Sequence, residues 1–578
     1  MYSKTILGPA LGLALVSAAA TAWADEGMWT FDNFPAEKVK QAYGSAPDAA
    51  WLDHMRQSSL KLGNGCSASF ISGSGLVLTN HHCMRGCIEA VSSKRRDYIS
   101  RGFYAARQRD EKRCPGLSVA RLEAIEDVSE RVKKATADLK GEAFKKAERA
   151  EIAAIEKACA TDDKTRCDVI RLYNGGRFHL YRYRNFTDVR LVFSPEDAIA
   201  SFGGDPDNFE FPRYCLDMTL ARVYENGKPI EVEHFLKWTE TAPKADDLVY
   251  VSGHPGRTQR TKTVAQLANL RDVVLPDRLM WVAEGKGLLT EFVAAGGEKA
   301  RVGYEPLFGL NNAYKAFKGR RTALLDDTFF AKLVKDELQF RQALLEKGEW
   351  RDRAEAWTEI AAAVEKSQPR RVEAMVKEHH RGFGSDLFRY AWTLVRSAQE
   401  RAKPNGERLP EFGDAQLARV SARLFAPRPV HPSLEETMLR WGLTRARERL
   451  GPDDPFIRKL LDGRSPDQQA RRLVKGSKLA SAKVRRRLYK GGLAAIKASK
   501  DPMIVLVRAI EADGREVRAW YEREVEPVIK KNESDIADAK FALYGTTVYP
   551  DATGTLRLSF GKVAGFQHRG GPVEPFTM

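Results

Sequence analysis

The chain has 578 residues, 43% hydrophobic and 30% charged, with 44 glycines, 26 prolines and a mean hydropathy of −0.43. These proportions exclude a disordered tail, a collagen and a polytopic membrane protein, and the length suits about two to four domains that each bury a core. Lys and Arg outnumber Asp and Glu by 94 to 77, but the resulting +17 is spread thinly, so it admits acidic peptides, nucleic acid or anionic surfaces without selecting among them.

Residues 1–24 read as a secretory signal: Lys4 in a short basic region, an apolar run from Ile6 to Val16, then small residues ending in Ala22-Trp23-Ala24. Cleavage is expected before Asp25, giving a periplasmic or secreted protein. Gly8, Pro9 and Gly12 interrupt the run, and no later window offers about twenty uncharged apolar residues, so membrane insertion is not expected. Export permits disulfides, and all seven cysteines fall early: Cys66, Cys83, Cys87, Cys114, Cys159, Cys167 and Cys215. The odd number leaves one outside any pairing within the chain. Cys159 and Cys167 are spaced so that a local loop bridge could close; spacing alone fixes no connectivity.

From about 25 to 275, β-rich runs (Ala68 to Ser72, Leu76 to Thr79, Val189 to Phe193, Met218 to Tyr224, Leu248 to Ser252) alternate with Gly, Pro and Asn turns. A charged helical excursion is expected near 120–160. From about 280 to 540 glycine thins out and runs such as Phe329 to Val334 and Ala361 to Val364 predict helices. Past 541, Leu556, Leu558 and Phe560 alternate with Arg557 and Ser559 and predict a half-buried strand. So short a β segment closes neither a barrel nor a sandwich by itself. It is expected to complete the first β domain or to continue beyond Met578.

The most informative segment runs from Gly65 through Thr79-Asn80-His81-His82-Cys83: two β runs, a Gly-Ser turn, then histidine before cysteine. It resembles the chymotrypsin-like serine peptidases, which implies His82 as general base and a bridge from Cys83 back to Cys66. Surface-loop histidines are one alternative. A metal site of His81, His82, Cys83 and Cys87 is another, disfavoured because the spacing is not a zinc pattern and exported cysteines oxidise. Such a base needs a buried carboxylate. Asp205, Asp207 and Asp217 are the candidates; Asp217 sits within Cys215 to Tyr224, an apolar strand-like run in which an ionised aspartate must face a cation or an N–H donor, and His82 is the expected donor. Asp205 and Asp207 read as turn residues on the rim. In this peptidase architecture the nucleophilic serine follows the aspartate in a Gly-x-Ser-Gly setting, and no such run occurs here. Gly384-Ser385-Asp386 comes closest but falls in the helical region, and Ser72 and Ser74 read as turn formers. The serine is therefore expected beyond residue 578.

Further landmarks narrow the resemblance: Gly27-Met28-Trp29-Thr30-Phe31-Asp32-Asn33-Phe34-Pro35, Phe202-Gly203-Gly204-Asp205, Asn208-Phe209, Phe211-Pro212-Arg213, Gly253-His254-Pro255-Gly256-Arg257-Thr258, Asn311-Asn312-Ala313-Tyr314-Lys315, Ser499-Lys500-Asp501-Pro502-Met503 and Tyr549-Pro550-Asp551-Ala552-Thr553. With these the mature chain resembles the bacterial exported dipeptidyl-peptidases 7 and 11. The resemblance implies an α+β fold: a chymotrypsin-like double β-barrel interrupted by a large helical domain. Its parts would be a first barrel at 25–279, a helical cap at 280–540, and the start of a largely missing second barrel at 541–578. It also implies release of dipeptides from free peptide amino termini, with Asn208, Phe209 and Asn312 holding the terminal ammonium. A turn role for Asn208 and a helix-cap role for Asn312 are the plainer alternatives. No metal or cofactor is implied, and a homodimer is. Two rival readings are a peptide-binding pseudoenzyme and a nucleic-acid or envelope-surface binder built on Lys483 to Lys490, a run that reads better as a solvated helix face.

Overall fold

In β1 (Ser59–Leu62), β2 (Ser67–Phe70) and β3 (Leu76–Thr79), alternate residues such as Leu60, Leu62, Phe70 and Val77 are buried while their neighbours, apart from the buried Ser59, are half exposed, the pattern of a sheet with one face on a core. They join β4 (Phe103–Tyr104), β5 (Lys112–Arg113), β6 (Val119–Asp127), β7 (Thr165–Leu172), β8 (Arg177–Phe186), β9 (Asp188–Ser194), β10 (Thr219–Glu225) and β11 (Lys228–Pro229) in one 11-stranded antiparallel sheet. The strand path runs β4-β9-β10-β3-β2-β1-β6-β8-β7, with β5 on β9 and β11 on β10. Its two ends do not pair, so the described residues form no closed barrel. The computed structural model describes residues 26–93, 95–201, 213–347, 353–379, 383–545, 548–568 and 571–576. The signal segment, Asp205, Asp207, Asn208 and Phe209 lie outside them.

The excursion expected near 120–160 begins later. Residues 119–127 form β6, paired with β1 and, through Asp127↔His179, with β8. Ala, Arg, Leu and Glu favour a helix here, but a strand bonded on both sides prevails over that weak preference. Helices follow at Ser129–Thr136 and Gly141–Cys159, and the Cys159–Cys167 disulfide fastens the second to β7. The β7–β8 turn places Tyr173 and Asn174 at φ +50° and +56°, ahead of Gly175 at +110°.

From Val264 to Tyr544 every regular element among the described residues is helical. This region starts earlier than the expected 280, at a capping box in which Thr263 accepts from the Gln266 amide and Gln266 accepts from that of Thr263. Its largest core gathers Leu394, Leu439, Leu443, Leu460, Leu473, Val507 and Ile510. Ser385 is a buried helix cap: its hydroxyl donates to Glu435 at 2.6 Å and accepts from the Phe388 amide at 3.1 Å. In the basic run, Lys483, Arg486, Arg487 and Lys490 are exposed as expected, but Arg485 is fully buried, donating to the carbonyls of Leu424, Leu479 and Ala426. No helix among the described residues is long and apolar enough to cross a membrane.

Leu556, Leu558 and Phe560 are buried, as their alternation predicts, within or beside β13 (Arg557–Lys562), the partner of β12 (Leu248–Gly253). Arg557 breaks the alternation. It is buried too, and donates to the carbonyls of Met28, Pro550 and Asp551. The chain divides into two units. The described residues of the small one are Glu26, Gly27, Thr239–Val251, 559–568 and 571–576, and it is tied by Asp246 N to Val563 O at 2.9 Å. The large one, Met28–Trp238 with Ser252–Leu558, holds the sheet and the helices and is a mixed α+β structure.

Candidate active site

Thr79, the last residue of β3, is paired with Thr219, the first of β10. Because these neighbouring strands are antiparallel, the residues just past one and just before the other arrive together. His82 opens the helix His81–Val91 behind β3, and Asp217 precedes β10 by two residues. Asp217 is thus at the strand's entry rather than within it.

His82 Nδ1 lies 2.6 Å from Asp217 Oδ2, and the His82 backbone amide donates to Oδ1 at 2.9 Å. Asn80 donates its side-chain amide to Asp217 O at 3.0 Å and to Oδ2 at 3.1 Å, and Arg213 Nη2 donates to Oδ2 at 2.6 Å. The Asp217 side chain is 5% exposed and that of His82 28%. Burial by itself would raise the Asp217 pKa. The hydrogen bonds from the His82 ring and amide, with the nearby charges, outweigh it and lower the carboxyl to about 2. An ionised carboxylate only accepts, so the proton between the two side chains belongs on Nδ1 and the basic lone pair on Nε2.

The Cys66–Cys83 disulfide anchors the residue after His82 to the entry of β2, and Asn64 donates to Cys83 O at 2.7 Å. Cys87 is bridged to Cys114. Ligand atoms of Cys66, His82 and Cys83 lie within 4.8 Å of one another, but the two sulfurs are joined as a disulfide and offer no thiolate, so the donor set does not suit a metal. His81 is buried; desolvation and the Arg85 charge lower its pKa to about 4, keeping it neutral. The seventh cysteine, Cys215, accepts from Arg213 Nε at 3.1 Å.

Sequence reasoning missed four residues here: Asn80, Arg213, Arg85 and Phe308. Arg213 had a signal, because a buried aspartate demands a cation or donor nearby. Arg85 is one turn along the helix from His82 and fully buried; it pairs with Asp197 and, through Nε at 2.9 Å, with Glu305. Its guanidinium lies 4.5 Å from the Tyr304 ring centre and 5.3 Å from that of Phe308. The Phe308 ring stacks on His82 at 6.3 Å. Tyr304, Phe308 and Asn312 recur every four residues along the helix Gly297–Leu325 and therefore share a face, which brings Asn312 to the His82 side of that helix. Asn312 is well inside the helix and is not a cap.

The family model for Peptidase S46 matches residues 24–578. The chain is 27% identical to an Asp/Glu-specific dipeptidyl-peptidase of Shewanella putrefaciens, across 98% of this chain and 80% of that one. It is 29% identical to a dipeptidyl-peptidase 7 of Phocaeicola vulgatus, across 60% of this chain and 51% of that one. In fold it is similar to the crystal structure of Porphyromonas endodontalis DPP11 in complex with the dipeptide Arg-Glu, with a TM-score of 0.76 over 95% of this chain and 82% of that one at 20% identity.

Proposed function

The chain belongs to the peptidase S46 family, and from that premise we propose that it is an exported serine-type dipeptidyl-peptidase in which His82 is the base and Asp217 orients it. The observation that carries the residue assignment is the double contact of Asp217 with the ring and the backbone amide of His82. A carboxylate held in this way fixes the imidazole with Nε2 outward and stabilises the imidazolium formed when Nε2 takes a proton.

In the reaction, a serine hydroxyl loses its proton to His82 Nε2 as its oxygen attacks the carbonyl of the second peptide bond. The imidazolium returns that proton to the leaving amine, and water later hydrolyses the acyl-enzyme to free the dipeptide. None of the serines described here is assigned the nucleophile's part, and Ser385 is a helix cap. Release of dipeptides requires that the peptide's ammonium be held at a fixed distance from the reacting carbonyl. Asn312, on the face that carries Phe308 to His82, is suited to that with its carbonyl acceptor, and Asn208 and Phe209 are proposed to assist it. In this reading the β-sheet region, open among the described residues, corresponds to the first of two chymotrypsin-like barrels, the helices cap the cleft, and a cleaved signal sends the protein to the periplasm or medium.

The test is mass spectrometry of an unblocked tetrapeptide and its acetylated form incubated with the natural gene product. Dipeptides are expected from the free peptide only, with His82→Ala lowering kcat/KM at least ~1,000-fold. Cleavage of the blocked peptide, or undiminished release by His82→Ala, would contradict the reading.

A further inference from the structure

A second cavity, of about 290 Å³, shares no lining residue with the cleft at His82. Its walls come from the β7–β8 turn and the helices Asp327–Glu346 and Glu526–Tyr544, and its apolar surface includes Leu333, Phe340 and Phe541. Among the charged side chains of the lining, Lys262 pairs with Glu533, Asp336 with Lys332, and Arg260 lies over the Tyr549 ring, whereas Glu337 and Lys540, one from each helix, have bonding capacity left.

Lys540 is half-buried and makes no ion pair or hydrogen bond among the described residues. The carboxylate that attracts it, Asp551, is already engaged by Thr258 Oγ1 at 2.6 Å, Arg260 N at 2.8 Å and Thr261 N at 3.1 Å. Burial, with Arg260 nearby, depresses the lysine's pKa, as it must when an ammonium loses water without gaining a counter-ion. Glu337 accepts from the Val264 amide through Oε2 at 2.7 Å, which leaves its other oxygen available, and burial raises its pKa. The other carboxylate deep in the lining, Glu533, is bonded to Lys262 and Gln266.

We propose that this cavity binds a zwitterion with an apolar side chain, of the size of a free dipeptide, its carboxylate on Lys540 and its ammonium on Glu337. A simple anion would leave Glu337 unmatched, and a simple cation would leave Lys540 so. The volume falls at the small end of the ~300–1,000 Å³ usual for small-molecule sites, which limits the ligand to very few residues. A free dipeptide is also what the proposed reaction releases. That connection rests on the reading above, whereas the binding itself does not.

Isothermal titration of the natural gene product with leucyl-leucine tests the idea, alongside its N-acetylated and C-amidated forms. The free dipeptide is expected to bind, and each blocked form to bind at least ~10-fold more weakly, since each loses one charged hydrogen bond. Lys540→Met and Glu337→Gln are expected to weaken the free dipeptide by the same factor. Leu333→Trp, which fills the cavity and leaves the charges in place, should abolish this binding and serves if either charge variant fails to fold. Affinity unchanged in all three variants, blocked forms binding as well as the free one, or no heat at millimolar dipeptide would overturn the proposal. Any of these with dipeptide release intact would remove the cavity's role alone and leave the peptidase reading standing.

Discussion

Asp217 and Asp551 are both aspartates buried in the large unit, and both are held below the ordinary aspartate pKa although burial works the other way. Their donors differ. Asp551 is enclosed by groups that do not titrate near neutrality: the hydroxyls of Thr258 and Thr261 and the amides of Arg260 and Thr261. Asp217 also receives amide donors, from His82 and Asn80, but two of its partners are a guanidinium and a partly exposed imidazole with a second nitrogen to offer. The same solution to burying a carboxylate therefore ends in a structural clasp at one position and in a base at the other. What separates them is whether one donor can pass a proton on.

The comparison breaks most visibly under amide substitution. Asp217→Asn keeps the shape but presents an N–H where Nδ1–H needs an acceptor, favouring the wrong tautomer, so dipeptide release is expected to fall ~10,000-fold with the protein folded. Asp551→Asn should leave kcat within a few-fold and instead cost ~1–3 kcal/mol in urea unfolding, because buried donors lose part of their acceptor. Equal losses of activity in the two variants would erase the distinction.

Acid sharpens it more gently. The folded-state pKa of Asp217, about 2, is below the ordinary 3.8, so its stabilising effect is complete above that ordinary value and disappears as pH falls from about 4 through 2. The difference corresponds to ~2 kcal/mol. The gap in unfolding free energy between wild type and Asp217→Asn should accordingly be widest above about pH 4, narrow as pH falls through 2, and lose this contribution by about pH 1. A gap that widened toward low pH would have the wrong sign.

Much of the His82 corner is legible in the sequence because it is local. Leu76 to Thr79 alternates cleanly and forms β3, and the cost of an unpartnered aspartate at Asp217 demands a donor that the strand pairing then delivers. What stays hidden depends on distant partners. Arg557 and Arg485 read as surface charges, yet both are buried because carbonyls far away in sequence accept their protons. β6 reads as helix from its own residues and is a strand because β1 and β8 flank it. The contact of Phe308 with His82 joins the helical region to the sheet, and only the four-residue recurrence of Tyr304, Phe308 and Asn312 hints that one helix face is committed to it.

The central claim is that Asp217 holds the His82 ring with its proton on Nδ1, and nitrogen-15 NMR of histidine-labelled protein measures this directly at neutral pH. For the neutral ring the account predicts its one proton on Nδ1, shifted strongly downfield by the carboxylate, and loss of the shifted signal in Asp217→Ala. A neutral ring with its proton on Nε2 in the wild type, or a downfield signal that survives Asp217→Ala, would contradict it.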